Sequence, residues 1–236
     1  MLKKVIKKVF KKNQTLKEKY QKISFSQSGE DLIVKFLFDA IQIAQPSYLD
    51  IGAHHPYYLN NTALFYLSGS TGINIEPDPS LFKPFISERK RDINLNIGIS
   101  DKESEQDFYL FNVPTLNTFS KEEAAKFEKE GNYFVKETKK IKVQTIENIL
   151  AQYSNNKFPN FLTIDAEGVD ELILKSIDFK TNFPIVICVE TLSFSSSGNG
   201  KKNYDLIHFL ESNQYLLYAD TNNNSIFIKK EFWLNH

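Results

Sequence analysis

Residues 46–79 read PSYLDIGAHHPYYLNNTALFYLSGSTGINIEPDP. Tyr48-Leu49-Asp50-Ile51 is a short apolar run carrying one acid, and Gly52 and Ala53 follow it. A helix-like segment comes next, then the run Gly72-Ile73-Asn74-Ile75, which stops at Glu76. Strand, small-residue turn, helix, strand and acid make half of a nucleotide-binding βαβ unit. Gly52 has no Cβ, which lets backbone approach a ligand closely. A carboxylate at the tip of the second strand can accept both hydroxyls of a ribose. An ordinary strand, turn and helix explains the glycine equally well. The acid ending the second strand, followed directly by Pro77, favours the ligand.

Two cofactor classes use this layout. A dinucleotide needs G-x-G-x-x-G, because its pyrophosphate sits on a helix N-terminus. Here Gly52 is followed by Ala53, His54, His55 and Pro56, with no second or third glycine. S-adenosylmethionine carries no phosphate and needs one close backbone approach plus the ribose acid.

DIGAHHP at 50–56, NNT at 60–62 and GINIEPDP at 72–79 resemble the FkbM family of S-adenosylmethionine-dependent methyltransferases. FSQSGEDLIV at 25–34, LTIDAEGVDELIL at 162–174 and VICVET at 186–191 extend the resemblance from about residue 24 to about residue 230. Many relatives carry Asn and a later Gly where this chain has His54-His55-Pro56, so the loop here is bulkier. The resemblance implies O-methylation of a secondary metabolite or of a sugar in a glycan. It also implies that the helix after Gln27 folds over the cofactor, making Gln27, Glu30 and Asp31 site candidates. Helix capping by Ser26 or Ser28 and first-turn acids explain that segment without a ligand, apart from Gln27.

With 41% hydrophobic and 25% charged residues, the chain is globular rather than disordered. Its zero net charge hides an asymmetry. Residues 1–22 hold nine lysines and one acid, Glu18, which leaves 20 basic and 28 acidic residues in the remainder. An acidic body argues against nucleic-acid binding. We therefore read a basic arm at 1–22 and a methyltransferase domain at 23–236. Leu2, Val5, Ile6 and Val9 share one helical face of the arm, and its lysines lie largely opposite. Such a stretch suits peripheral contact of residues 1–12 with the inner membrane surface; a solvated arm or an oligomer contact is the alternative. The single cysteine, Cys188, lies in an apolar run, which suits a core position and a cytoplasmic protein without disulfides.

Farther along, residues 93–99 read as a third strand ending near Gly98, Ile99 and Ser100, where the adenine of a cofactor is commonly clasped in this fold. Residues 102–158 exceed the usual link between strands and read as an insertion. Strands are expected there at 107–111 and 139–144, with helices at 121–130 and 145–152 behind Ser120 and Thr145 caps. Its tip, residues 115–120, can contact the acceptor or simply extend the sheet. Residues 161–164 and 184–189 are nearly unbroken apolar runs, as in parallel strands buried on both faces. The Ser/Gly/Asn stretch 193–203 reads as a mobile loop, and 215–219 with 225–229 as a terminal β-hairpin.

The fold expected is therefore α/β, the class I methyltransferase (Rossmann-like) type. It has a seven-stranded, mainly parallel sheet, a C-terminal antiparallel hairpin and an insertion between strands 3 and 4. Ligands bind at the carboxyl ends of such strands. Asp50, Glu76, Asp165, Glu167 and Glu190 all end or follow strands there. Five acids at one rim are costly unless they meet cations, donors or a metal. The cofactor site is expected from Gln27, Asp50, Gly52, Ala53, His54, Glu76, Pro77, Gly98, Ile99, Ser100 and Asp165. Asp165, Glu167, Glu190 and His55 are candidates for catalysis. A hydroxyl acceptor needs a base or a metal. A histidine with pKa about 6.5 serves as base, unless both histidines only bond their own loop. Asp165 and Glu190 can share Mg²⁺. A degenerate, non-catalytic binding module and an NAD-dependent enzyme are the alternatives.

Overall fold

Strands buried on both faces build the middle of the molecule. In the computed structural model, which describes residues 16–195 and 200–235, the chain starts with α1 (Leu16–Tyr20) and α2 (Glu30–Ala40). β1 (Tyr48–Ile51), α3 (Ala63–Leu67), β2 (Gly72–Ile75), α4 (Pro79–Glu88) and β3 (Ile93–Leu95) follow. The insertion holds β4 (Gly98–Ile99), β5 (Ser104–Phe111), a 3₁₀ turn (Pro114–Leu116), α5 (Lys121–Lys129) and β6 (Val135–Gln144). The rest runs α6 (Ile146–Tyr153), β7 (Phe161–Ile164), α7 (Asp170–Lys175), β8 (Val186–Glu190), α8 (Tyr204–Ser212), β9 (Tyr215–Asp220), β10 (Asn224–Lys229) and α9 (Lys230–Trp233).

Seven strands form the main sheet in the order β3-β2-β1-β7-β8-β10-β9. β10 is antiparallel to both neighbours, and the other pairings are parallel. Side chains alternate across the sheet. Leu49, Ile51, Leu162, Ile164, Ile187 and Val189 pack on one face with Ile149, Ile173 and Leu210 from α6, α7 and α8. Tyr48, Phe161, Val186 and Cys188 pack on the other with Leu37, Phe38 and Phe65 from α2 and α3. On this second face the carboxyl ends turn polar at Asp50 and Thr163, so the apolar layer stops short of the rim.

The stretch 93–99 is not one strand. β3 ends at Leu95, and Asn96 donates its side-chain amide to the carbonyls of Glu76 and Pro77, 2.8 and 3.0 Å away. Those carbonyls then have a partner that is not a continuing edge strand. Gly98 and Ile99 instead pair with β6 in a second sheet of order β4-β6-β5. Ser120 and Thr145 cap α5 and α6 as expected. The N-cap of α2 is Gly29, in the left-handed region, rather than a serine; Ser26 Oγ reaches the Asp31 N–H from farther back, at 3.3 Å. The described ends of the 193–203 loop are pinned. Phe194 packs edge-on against Phe127 and Tyr133, and Leu192 bridges to Lys202. The amphipathic stretch 1–12 lies outside the described residues. Among those described, no helix is long and apolar enough to cross a membrane.

Arg89 closes α4 and is fully buried. Its guanidinium donates to Asp92 at 2.9 Å, to the Tyr48 hydroxyl at 2.9 Å, to Thr62 Oγ1 at 3.0 Å and to the Pro56 carbonyl at 3.1 Å. Asp92 also accepts from the Tyr48 hydroxyl, the Gly72 N–H and Asn74. One side chain thus ties β1, β2, α4 and the 52–62 loop together. Removing a single partner from a buried ion pair strands the other charge. Arg89→Met should therefore lower unfolding free energy by about 3–5 kcal/mol in chemical denaturation. A loss below about 1 kcal/mol would show that water reaches Asp92 and that the cluster holds little together.

Candidate active site

The site begins where β1 leaves the sheet. Gly52 has φ 77°, and a Cβ there would lie 1.8 Å from the Asp165 carbonyl oxygen. The glycine is needed because the exits of β1 and β7 touch; Asp165 N–H bonds the Ile51 carbonyl at 3.0 Å. The close approach expected of Gly52 is therefore to its own chain. The N–H groups of Gly52 and Ala53 both go to the Ile75 carbonyl. His54, also left-handed at φ 56°, gives its N–H to Glu76 at 2.7 Å.

Glu76, just past β2, accepts that bond on one oxygen and the Asp78 N–H on the other, also at 2.7 Å. Each carboxylate oxygen keeps a second lone pair. Burial pushes the Glu76 carboxyl up to about 8 against the pull of the two amides. A cationic or hydrogen-bonding ligand tips that balance toward the charged form.

A cavity of about 630 Å³ opens beside Glu76, within the range of small-molecule sites. Gln27, Gly52, His54, Glu76, Pro77, Gly98, Ile99, Asp165, Glu167 and Glu190 line it, so most of the expected residues meet at one place. Four do not border it. Asp50 is buried behind the wall, accepting from Asn60 at 3.2 Å and Thr62 at 2.7 Å, and burial pushes its carboxyl up to about 6. Ala53 is buried, with its carbonyl taken by Asn60. Ser100 gives its N–H to the Gln144 carbonyl. His55 closes its own loop, with Nδ1 accepting the Tyr57 and Tyr58 N–H groups at 3.2 and 3.1 Å. Glu30 and Asp31 are likewise supports. Glu30 holds Thr221 at 2.6 Å and Asn224 at 3.2 Å on the terminal hairpin, and Asp31 holds Ser24 and the Phe25 N–H. Gln27 meets the same hairpin through Asn223 at 3.3 Å.

Across the cavity stand Asp165, Glu167 and Glu190, with carboxylate oxygens within 4.8 Å of one another. α7 has no side-chain N-cap bond; Asp170, its first residue, instead accepts the Ala166 and Gly168 N–H groups of the preceding turn at 2.9 and 3.3 Å. Asp165 and Glu167 are thereby left facing the cavity. Burial first, and then neighbouring carboxylates, push all three up: Asp165 to about 7 beside Asp170, Asp50 and Glu30, Glu190 to about 9 beside Asp165 and Asp170, and Glu167 well above its ordinary range beside Glu190 and Asp165. Asp165 is exposed to the cavity yet surrounded by protein, so water in the open site softens its shift and an occupant that excludes water restores it. Burial and the adjacent His55 hold His54 below the usual histidine value.

Of the insertion tip expected at 115–120, Thr115, Leu116, Asn117 and Phe119 border the cavity, with Pro114 beside them. Asn61, from the NNT stretch, also lines it and reaches Thr163 Oγ1 at 2.9 Å. Tyr58 and Phe194, which add aromatic wall, had no sequence signal of their own.

A parallel sheet with a terminal antiparallel strand, and an acid-ended β2 facing the cavity, define the class I methyltransferase architecture. Residues 50–217 match the Methyltransferase FkbM domain, and the chain belongs to that family. Among solved structures it is similar to a crystal structure of methyltransferase FkbM from Methylobacillus flagellatus, at 13% identity and a TM-score of 0.43. That match covers 78% of this chain and 44% of the other, so the chain spans less than half of that protein's length. No curated protein matches the chain.

Carboxyls that bind protons more tightly folded than unfolded stabilise the fold at low pH. They lose that contribution as pH rises through the folded values. The melting temperature of the ligand-free protein should therefore fall between about pH 5 and about pH 9. The Asp165→Asn/Glu190→Gln double variant should give a flatter profile. If its profile runs parallel to that of the wild type, the three acids are not the source of the slope.

Proposed function

We propose that this protein transfers a methyl group from S-adenosylmethionine to a hydroxyl of a sugar, glycan or secondary metabolite. The observation that carries this reading is the pairing across one cavity of Glu76, held by two backbone amides, with the carboxylates of Asp165, Glu167 and Glu190.

The residues present fit this cofactor better than a dinucleotide. A pyrophosphate needs free backbone N–H groups at the turn after β1. Here those of Gly52, Ala53 and His54 are already taken. No lysine or arginine among the described residues lines the cavity. When bound, S-adenosylmethionine supplies a methyl group already activated on a positively charged sulfur. Glu76 would accept the ribose hydroxyls, and Gly98 and Ile99 would bound the adenine. The acids at the opposite wall suit a cationic donor.

The chain's own part is then alignment and proton removal. For an acceptor oxygen to take the methyl group as the carbon–sulfur bond breaks, its hydroxyl proton would have to leave. Asp165, at about 7, is matched to take that proton near neutral pH. Glu190, raised to about 9, and Glu167, raised well above its ordinary range, would orient the hydroxyl beside it. His54 lies in the donor loop and supports the cofactor side. Mg²⁺ is the second reading of the same three carboxylates. Their oxygens lie within 4.8 Å of one another, a span over which one such ion can be held.

Calorimetry with S-adenosylmethionine and with NAD tests the reading. The first should bind and the second should not. Glu76→Ala should weaken the first by about 1.5–3 kcal/mol in a folded protein. Asp165→Asn should cut turnover by about a hundredfold while affinity changes little. A chelator should leave the wild type unaffected; inactivation by chelator would move the three acids to a metal site. A protein that binds S-adenosylmethionine but methylates nothing would favour the binding module.

We also propose a cytoplasmic protein that meets anionic lipid through residues 1–12. Each lysine near such a surface contributes about 1 kcal/mol. Deleting residues 1–12 should abolish sedimentation with anionic vesicles and spare turnover of a soluble acceptor. Full-length protein that ignores such vesicles at low salt would remove the lipid.

A further inference from the structure

Two consecutive residues at the tip of the insertion touch opposite banks of the cavity. Asn117 donates its amide to Asp78 Oδ2 at 2.9 Å, and its own oxygen accepts the Phe111 N–H at 2.8 Å, which fixes how the amide points. Asp78 in turn gives its N–H to Glu76. Thr118 is fully buried and donates its hydroxyl to the Glu167 carbonyl at 2.6 Å. The same hydroxyl accepts the Ser120 N–H at 2.8 Å, and the Thr118 backbone pairs with Tyr109 in both directions. Neither end of this span is free to drift.

We propose that Asn117 and Thr118 form a strut that sets the spacing of the two banks and so positions the Glu167 carboxylate opposite Glu76. The proposal rests on the methyl-transfer reading, for which that spacing is the distance between donor and acceptor sides.

The backbone at Glu167 shows why a strut is needed. Glu167 has φ 42° and Gly168 φ 89°, two successive left-handed residues. The first is disfavoured for a residue with a Cβ and persists only where its surroundings impose it. Thr118 holds the Glu167 carbonyl from the insertion side. α5 presses from the same side, because a Cβ on Gly168 would lie 2.4 Å from Glu123 Cγ. Asp170 holds Ala166 and Gly168 from below. With the Thr118 bond removed, the Glu167 peptide can turn toward the ordinary right-handed region and swing its side chain away from Asp165 and Glu190. The insertion thereby acquires a task that mere extension of the sheet does not need.

Thr118→Val keeps the shape and removes the hydroxyl; Thr118→Ser keeps the hydroxyl. The first readout is the crystal structure of the ligand-free variants, compared at the Glu167 backbone and carboxylate. The groups facing it are Asp165 and Glu190 at the ends of β7 and β8, Asp170 on α7 and Glu123 on α5. Lys202 faces Glu190. In Thr118→Val the Glu167 φ should leave the left-handed region and its carboxylate should swing away from Asp165 and Glu190, and Thr118→Ser should restore both. With S-adenosylmethionine, Thr118→Val should bind within about twofold of wild type and lose about tenfold to a hundredfold in kcat. Should Thr118→Val not fold, Asn117→Ala cuts the other end of the strut and should displace the same carboxylate.

An unchanged Glu167 conformation in the folded variant overturns the strut, as does an unchanged kcat in a protein whose wild type is active. A displaced Glu167 in a protein that methylates nothing upholds the strut and removes only the methyl-transfer reading.

Discussion

A single buried guanidinium fixes the geometry on which the site depends. Arg89 has no exposed surface, and its charge is answered by Asp92, by the Tyr48 and Thr62 hydroxyls and by the Pro56 carbonyl. Burying such a charge is costly unless every donor is used. Satisfying it draws β1, α4 and the 52–62 loop to one point. Thr62 passes the constraint on to Asp50, and Asn60 passes it to the Ala53 carbonyl. With the loop so held, the His54 N–H reaches Glu76, and the far wall can be built against a rigid partner.

The opposite wall follows another logic. Asp165, Glu167 and Glu190 are crowded without donors among the described residues, and each is pushed toward its protonated form. The fold tolerates this because neighbouring acids are satisfied: Asp170 by two amides, and Glu30 by Thr221 and Asn224. Strained, underserved carboxylates at one end of a cavity and well-served ones behind it are what a site poised for a cationic donor and a proton to be removed would require.

Most of the fold was legible in the residues. Apolar runs bounded by Gly52, Glu76, Asp165 and Glu190 marked the parallel strands, and Ser120 and Thr145 marked helix starts, because these signals are local. What depended on distant contacts was not. Residues 93–99 look continuous in sequence, yet Asn96 takes the Glu76 and Pro77 carbonyls and sends Gly98 into another sheet. Gly52 read as room for a ligand, and its neighbour is the Asp165 carbonyl. Asp50, Glu30 and Asp31 read as site acids, and each is answered by hydrogen bonds within the chain. Arg89 drew no attention, because nothing in its flanks tells a buried arginine from a solvated one. Thr118 fell in the insertion tip singled out from the sequence, but its task was not legible there, because its partner lies 49 residues away.

The most direct test is a crystal structure with S-adenosylhomocysteine, the demethylated product. The account predicts its ribose hydroxyls on the Glu76 carboxylate, its adenine against Gly98 and Ile99, and its sulfur facing the Asp165, Glu167 and Glu190 wall. A nucleoside bound elsewhere, with Glu76 holding only its two backbone amides, would contradict it.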